Sequence, residues 1–312
     1  MDNFLIAFNA VLPFIIYLAL GYYIRASGIA TIDLLRGMNQ ISYKILFPIL
    51  LFYNIYTSEG LLSGNRAFML YVVAVVTVLF LALFIIVPRV EKDNPKRGTL
   101  VQGILRSNIT LFSLPLAESI LGDEGVAVAS LLIAFVIAFY NVYSVIAFET
   151  FRGGKASVGK VFIEVLKNPL LIGVALGLAF NLLHIPIPGN LLTPIGKVAA
   201  MTSPLALIIL GGTLEFSAAK QNLKYLVSAI TIKMVLLPII CVPIAHALGF
   251  SPAEIFGAYC LVGTPIATGT YAMAAGLGGD AELAGQLVVF STAVSLFTIF
   301  LGVLALKTLG WV

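Results

Sequence analysis

The sequence predicts an all-α membrane protein with ten transmembrane helices. Of its 312 residues, 60% are hydrophobic and only 10% are charged, whereas a soluble domain carries about 25% charged residues. The mean hydropathy is +1.07, and apolar runs of bilayer-spanning length recur along the whole chain. Because a backbone in lipid must satisfy its own hydrogen bonds, these runs are expected to be helices. The composition excludes a soluble enzyme, a nucleic-acid binder and a disordered protein.

Ten segments contain the roughly 20 apolar residues that a spanning helix needs. These spans, numbered 1 to 10, cover about residues 4–24, 38–58, 67–88, 100–121, 125–149, 162–183, 195–216, 222–247, 253–275 and 283–308. The first apolar run lacks a basic leader, so it is interpreted as a span and not as a secretory signal. Cys241 and Cys260 lie inside apolar runs and are expected to be small core residues without a disulfide.

The distribution of basic residues predicts the orientation of the chain. The connections after spans 1, 3, 5 and 7 carry eleven of them: Arg25, Arg36, Arg89, Lys92, Lys96, Arg97, Arg152, Lys155, Lys160, Lys220 and Lys224. The opposite side has three, Arg66, Lys197 and Lys307. Short cytoplasmic loops are enriched in Lys and Arg. We therefore expect a multi-pass protein of the cell inner (cytoplasmic) membrane, with both termini outside the cytoplasm.

A spacing of 156 residues suggests an internal repeat. It separates Pro13 from Pro169, Gly21 from Gly177 and Pro48 from Pro204, and a spacing of 157 separates Asp123 from Asp280. Residues 1–156 and 157–312 would each hold five helices, and an odd number inverts the second copy relative to the first. Many secondary transporters are built this way, with a substrate site at broken helices near the midplane. A chance pattern in apolar sequence is the alternative.

Spans 4 and 9 each place proline among small and hydroxylated residues. Span 4 has Asn108 ahead of Pro115, and span 9 has Pro265 between Thr264 and Thr268. Proline frees backbone groups, which a membrane tolerates only where protein or a wet cavity meets them. Half-helix N-termini attract anionic groups. The pair therefore predicts helix breaks that form a binding site, which Asn54 of span 2 would also face; two packing kinks are the alternative.

Ionisable and polar residues inside spans are further candidates, because burying them in lipid is costly. Lys233 lies eleven residues beyond Asn222, about 16 Å along a helix and roughly half of a 30 Å core. We expect it to face a cavity or a carboxylate, as a counter-charge to an anion or as part of a coupling switch; a structural ion pair is the alternative. Arg106 would attract an anion or anchor its span.

Three more residues are candidates for coupling. Glu118 would titrate during proton coupling or remain a solvated carboxylate. Thr264 and Gln286 would help to bind a coupling ion, although Gln286 also suits an interhelical hydrogen bond.

Four segments resemble the auxin efflux carrier family, which includes the plant PIN-formed carriers and bacterial malonate and malate carriers. Residues Met38–Phe52 resemble the second helix of that family, and Asn108–Leu116, with Asn and Pro seven apart, resemble its fourth-helix crossover. Residues Asn168–Gly173 and Pro204–Gly211 are similar to its sixth and seventh helices. The resemblance covers essentially the whole chain.

The resemblance implies a ten-helix fold like that of the bile-acid and sodium–proton carriers. Spans 1, 2, 6 and 7 would form a scaffold, often dimeric. Spans 3–5 and 8–10 would form a transport domain in which spans 4 and 9 cross at their prolines, with Asn108, Pro115 and Pro265 lining the site. Span 3 departs from the plant branch, because it has no ionisable residue where an acidic and basic pair is expected. This puts a proton relay of that type and an auxin substrate in doubt.

The functional expectation is a secondary active transporter that moves a small organic anion (a carboxylate) by alternating access. Its partners would be the anion, the lipid bilayer and a second copy in a homodimer, with no nucleic acid, no metal site and no cofactor beyond a coupling H⁺ or Na⁺. An anion channel and a transporter-like sensor of a small carboxylate are the alternatives. The motifs HExxH and GxSxG and paired intramembrane aspartates are missing from the sequence, which argues against an enzyme.

The predicted orientation is testable with reporter fusions. Alkaline phosphatase fused after Val312 should be active and green fluorescent protein at the same point should be dark, because the C-terminus is expected outside the cytoplasm. Fusions within the Arg89–Thr99 connection should give the opposite pattern. Cytoplasmic fluorescence of the C-terminal fusion would contradict the predicted orientation.

Overall fold

The computed structural model describes residues 2–57, 65–152, 163, 167–213 and 220–312, with the side chains of residues 2–11, 14, 111, 115 and 134 left out. These residues form α-helices, numbered in chain order: α1 Asp2–Ala26, α2 Ile32–Ile41, α3 Phe47–Tyr56, α4 Arg66–Val90, α5 Asn94–Leu105, α6 Ile109–Phe151, α7 Pro169–Leu182, α8 Gly189–Thr213, α9 Leu223–Thr231, α10 Leu237–Ala247, α11 Pro252–Gly263, α12 Gly269–Leu277 and α13 Ala281–Thr308. Non-helical backbone at Gly122 (φ 61°, ψ −144°) divides α6 into two helical parts. Apart from one isolated β-bridge, the described secondary structure is helical.

The structure confirms an all-helical architecture with several membrane-spanning helices. Five segments of the described chain are long and apolar enough to cross a membrane: Arg66–Val90, Leu116–Phe151, Gly189–Thr213, Leu223–Ala247 and Ala281–Thr308. Ile15–Ala26 and Pro169–Leu182 are shorter apolar helices. The count of ten spans and the inverted halves remain predictions. Parts of spans 2, 6 and 7, and Lys155 and Lys160, lie outside the described residues.

Polar side chains set several of the helix boundaries. Five N-cap side chains accept a hydrogen bond from the first turn of their helix: Thr31, Asn65, Asn168, Ser251 and Asp280. At α11 the cap is reciprocal, because Glu254 also accepts from the Ser251 amide. Gly278 ends α12 in the left-handed conformation (φ 78°) that glycine adopts without strain. Local sequence therefore accounts for these six helix ends.

Two prolines produce π-helical turns without ending their helices. Pro48 and Pro238 have no amide hydrogen for the carbonyl four residues earlier. The amides just before them, of Phe47 and Leu237, bond instead to carbonyls five residues back. The resulting π turns, Ser42–Leu46 and Ile232–Leu236, join α2 to α3 and α9 to α10. The π turn in span 8 was not predicted, and it carries Lys233.

Span 4 is interrupted, but not at its proline. Helix α5 ends at Leu105 and α6 begins at Ile109, so the interruption is Arg106–Asn108. The predicted break at Pro115 is therefore wrong, since Pro115 lies within α6. Proline is tolerated inside membrane helices because neighbouring groups satisfy the freed carbonyl. Span 9 is interrupted between Gly263 and Gly269, and there Pro265 does lie in the break.

Glycines allow close backbone approach among α1, α3, α7 and α8. A Cβ on Gly21 of α1 would overlap the Ile208 carbonyl oxygen of α8, and one on Gly211 of α8 would overlap the Leu18 carbonyl oxygen. Gly173 of α7 faces the backbone of α3 in the same way. Small residues at such contacts are how membrane helices gain packing energy, because lipid provides no hydrophobic drive between them. These four helices form one tightly packed group.

A polar network joins the α4–α5 connection to α9. Glu91 accepts hydrogen bonds from the amides of Lys92 (2.7 Å) and Asp93 (2.8 Å) and from the Tyr225 hydroxyl. Burial raises the pKa of the Glu91 carboxyl, but these hydrogen bonds outweigh burial and hold the pKa below its usual range. The Lys224 ammonium lies 4.5 Å from the centre of the Tyr225 ring. The ionised Glu91 therefore stabilises this connection.

Replacing Gly21 by Ala should lower the stability of the protein in detergent. The added methyl group must push α1 away from α8, which we expect to cost about 1–3 kcal/mol. The control is Gly37→Ala in α2, where a Cβ would meet nothing within 4 Å; there alanine should stabilise by about 0.5–1 kcal/mol. Thermal unfolding midpoints measure both, and equal shifts would argue against the close approach.

Glu91→Gln should lower the midpoint of thermal unfolding at pH 7 by more than it does near pH 3.5. A carboxylate with a depressed pKa contributes stability above its unfolded pKa, about 4.3, and loses that contribution as the pH falls through the folded pKa. The difference between wild type and variant should therefore narrow on acidification. Tyr225→Phe, which removes one donor, should have a smaller effect at pH 7. A pH-independent difference would show that the charge of Glu91 is unimportant.

Candidate functional site at the paired helix interruptions

The two helix interruptions lie against each other and share backbone hydrogen bonds. Ser107 and Ile266 form an antiparallel bridge. The Asn108 amide donates to the Pro265 carbonyl (2.8 Å), and the Ala267 amide donates to the Arg106 carbonyl (3.2 Å). Each segment thus satisfies groups that the other released on leaving its helix. Buried backbone groups need such partners, so the two breaks depend on each other.

The helices that start at this bridge have unused capping residues. Asn and Thr are favoured N-cap types, and Asn108 precedes α6 while Thr268 precedes α12. Neither side chain bonds to its helix, in contrast to the five capped helices above. Both residues are buried, and the Asn108 Nδ2 has no partner among the described residues. The Thr270 amide in the first turn of α12 bonds to the Ala267 carbonyl (2.9 Å), and neither helix start has a side-chain cap.

The guanidinium of Arg106 lies beside the start of α12. Its Nη1 donates to Asn141 Oδ1 (3.1 Å) and lies 2.9 Å from Met273 Sδ. A Cβ on Gly269, the first residue of α12, would be 3.6 Å from Arg106 Nη2. Among the described residues, no ion pair joins Arg106 to a carboxylate. The charge of Arg106 and the N-terminal end of the α12 dipole are both positive, so they repel each other. A bound anion would reduce this repulsion.

The carbonyl ends of the interrupted helices are bonded by side chains. Lys233 is fully buried, and its Nζ lies 2.6 Å from Ser107 Oγ and 3.5 Å from the last carbonyl of α5, that of Leu105. Ser107 donates in turn to the Leu261 carbonyl near the end of α11, and the Tyr140 hydroxyl donates to the same carbonyl at 3.0 Å. The described hydrogen-bond partners of Lys233 are thus a hydroxyl and a carbonyl, and its role as a counter-charge or coupling switch stays a prediction.

Five predicted site residues converge at this bridge, and the others do not. Arg106, Asn108, Pro265 and Thr268 belong to the interruptions, and Lys233 reaches them from the second π turn. Thr264 ends α11, but its hydroxyl donates back to the Cys260 carbonyl (2.9 Å) within its own helix.

The remaining predicted residues lie elsewhere. Gln286 accepts from Asn222 Nδ2 (2.9 Å) and donates to Glu282 (3.0 Å), so its amide joins α13 to the start of α9. Glu118 is exposed. Asn54 is half-buried on α3, which packs against α7 and α8. The side chain of Pro115 is outside the described part of the structure.

Sequence reasoning missed several partners at the site. Ser107 stands in the same polar run as Asn108, so that run already indicated its position. Tyr140 and Met273 gave no signal, because an aromatic and a thioether residue are ordinary in apolar helices. Asn141 lies on α6 and accepts a hydrogen bond from Arg106 Nη1 (3.1 Å).

A cavity of about 230 Å³ opens next to the site. Its walls come from α2, α8, α12, α13 and include Ile32, Arg36, Leu210, Thr213, Tyr271, Ala281, Glu282 and Gly285. Tyr271 belongs to the first turn of α12, the helix that starts at Thr268. Arg36 and Thr213 lie toward helix ends for which the basic residues predict the cytoplasmic side. The cavity thus lies toward the predicted cytoplasmic side, between α2, α8, α12 and α13.

These features define a class, a multi-pass helical membrane protein with two interrupted helices that meet inside the protein, as in many transporters. The family model described as "Membrane transport protein" matches residues 6–302, and the chain belongs to this auxin efflux carrier-type family. The chain is also similar to an uncharacterized transporter of Methanothermobacter thermautotrophicus, with 22% identity over 301 residues, which is 93% of this chain and 95% of that protein. The protein is a membrane transport protein and not an enzyme.

Proposed function

We propose that the protein is a secondary active transporter that carries a small organic anion, a carboxylate, across the cytoplasmic membrane. The anion binds where α6 and α12 start, and alternating access exposes it first on one side and then on the other. The observation that carries this proposal is the pair of helix starts without side-chain caps. Beside them lie Asn108 Nδ2, which has no partner among the described residues, and the Arg106 guanidinium, which has no carboxylate partner among them.

Electrostatics favours an anion at this place. Each helix N-terminus carries roughly half a positive charge, and Arg106 adds a full one beside α12. A carboxylate matches a guanidinium in shape and accepts two parallel hydrogen bonds from it. A buried donor without a partner costs about 1–3 kcal/mol, so a ligand oxygen that accepts from Asn108 Nδ2 would recover that free energy. A neutral or cationic ligand would leave the excess positive charge in place.

The cavity supplies a route for alternating access. It lies between α2 and α8, which belong to the scaffold spans that the family resemblance implies, and α12 and α13, which belong to the transport spans. Phe47 at the start of α3 also lies at this boundary, 3.3 Å from where a Cβ on Gly269 would stand. A shift of the transport helices against the scaffold would close the cavity and open the site to the other side.

The roles of the other predicted residues follow from their placement. Pro265 and Thr268 shape the start of α12, and a role for Asn54 and Pro115 in substrate binding stays a prediction. Glu118, Thr264 and Gln286 remain candidates for coupling to H⁺ or Na⁺, although the described hydrogen bonds of Thr264 and Gln286 are structural. A homodimer through the scaffold helices and termini outside the cytoplasm complete the proposal.

The proposal is tested by replacing Asn108 with Ala in the purified, full-length protein. A screen of mono- and dicarboxylates by thermal shift identifies a ligand for the wild type. The variant should then lose at least about tenfold in affinity, or about 1.4 kcal/mol, and should lose uptake of the same compound in proteoliposomes. Its midpoint without ligand should not fall, because the amide removed has no protein partner for its nitrogen.

Asn65→Ala is the matched control for this test. Asn65 is an exposed N-cap whose side chain bonds to the Ala67 amide (3.0 Å), so the change should lower the unliganded midpoint and leave binding and uptake unchanged. Wild-type uptake by Asn108→Ala would remove Asn108 from the site.

Flux that fails to saturate with substrate concentration would indicate a channel instead of a carrier.

A further inference from the structure

Lys233 presents its ammonium group to the carbonyl end of the interrupted helix pair. Its Nζ contacts the hydroxyl of Ser107 (2.6 Å) and the Leu105 carbonyl (3.5 Å), and no part of the side chain is exposed. Lys233 belongs to neither interrupted helix, since it reaches the bridge from the π turn between α9 and α10. The ion pairs found among the described residues do not include it. Its positive charge is balanced by dipoles and not by an acid.

The environment of this ammonium group is the one that a small cation requires. The last carbonyls of a helix carry a partial negative charge of about half an electron, and here α5 ends at Leu105 while α11 presents Leu261 to the same Ser107 hydroxyl. In carriers with interrupted membrane helices, unwound carbonyls and half-helix C-termini bind the coupling cation, whereas half-helix N-termini bind the anionic substrate. In this chain the Lys233 side chain lies at the half-helix C-termini, the position where such carriers bind the coupling cation.

We propose that Lys233 is a built-in cation that takes the place of a coupling Na⁺, so that the protein binds its anion without Na⁺. The inference rests on the proposed function, because that function assigns the N-terminal ends of α6 and α12 to the anion. A tethered ammonium holds the carbonyl ends together at all times, whereas a free ion would do so only when bound. The anion site is therefore preorganised without an ion from solution.

The π turn explains how a lysine reaches this position. A π turn inserts one extra residue into the helix and shifts the side chains after it relative to the α-helical pattern. The equivalent turn Ser42–Leu46 also carries a lysine, Lys44, but that side chain is exposed. The two lysines share the same type of local structure and differ in burial, which makes Lys44 a matched control.

The experiment measures thermal unfolding of the full-length protein without substrate, in NaCl, KCl or choline chloride at equal ionic strength. Wild type and Lys44→Gln should have the same midpoint in all three salts. Lys233→Gln removes the charge but keeps the hydrogen-bonding length, and it should gain a stabilisation by Na⁺ that saturates with concentration. Lys233→Arg keeps the charge and should remain insensitive to the choice of cation.

Two outcomes would overturn the inference. One is a folded Lys233→Gln variant that no cation stabilises, which would make Lys233 a hydrogen-bonding anchor only. The other is a wild type that loses tenfold or more in carboxylate affinity when choline replaces Na⁺, and this measurement stays decisive even if Lys233→Gln does not fold.

These results also separate the inference from the proposed function. If the wild type binds a carboxylate only when Na⁺ is present, the proposed function would stand. The inference that Lys233 takes the place of Na⁺ would then be rejected. If a cation stabilises Lys233→Gln but no variant binds a carboxylate, the role of Lys233 as a built-in cation would stand and the proposed function would be rejected.

Discussion

The backbone pairing between Ser107 and Ile266 is the interaction on which the rest of the site depends. A polypeptide that leaves helical geometry inside a membrane must find partners for its amides and carbonyls. Here each interrupted segment serves as the partner of the other, through Asn108 with Pro265 and Ala267 with Arg106. Neither break would be stable alone. Because the breaks are paired, four helix ends are brought to one place, and their dipoles determine what that place can bind.

The four helix ends differ in how the protein treats them. The C-terminal ends of α5 and α11 are bonded by Lys233, Ser107 and Tyr140, all of them buried. The N-terminal ends of α6 and α12 are left without side-chain caps, with Arg106 close by. A protein that needed only stability would cap all four, since an uncapped helix start costs about 1 kcal/mol. The two pairs of helix ends therefore differ in whether side chains bond to their backbone groups.

The packing around the site combines close backbone contacts with an open cavity. The glycine contacts that bring α1 against α8 and α3 against α7 form a rigid group without large side chains between the backbones. The 230 Å³ cavity lies between this group and α12–α13. Polar contacts inside the bridge, such as Arg106 with Asn141, connect helices on the other side of that boundary.

The sequence by itself determined that the chain is a helical membrane protein and that span 9 is interrupted at Pro265. Hydropathy, capping residues and the break at Pro265 are local properties, and local sequence is enough to predict them. The tertiary structure alone decided that span 4 breaks at Arg106–Asn108 and not at Pro115, that Lys233 bonds to Ser107, and that Gln286 pairs with Asn222. The physical reason is that a buried polar group takes its conformation from its partner, and the partners here are distant in the chain, as with Ser107 and Leu261, 154 residues apart.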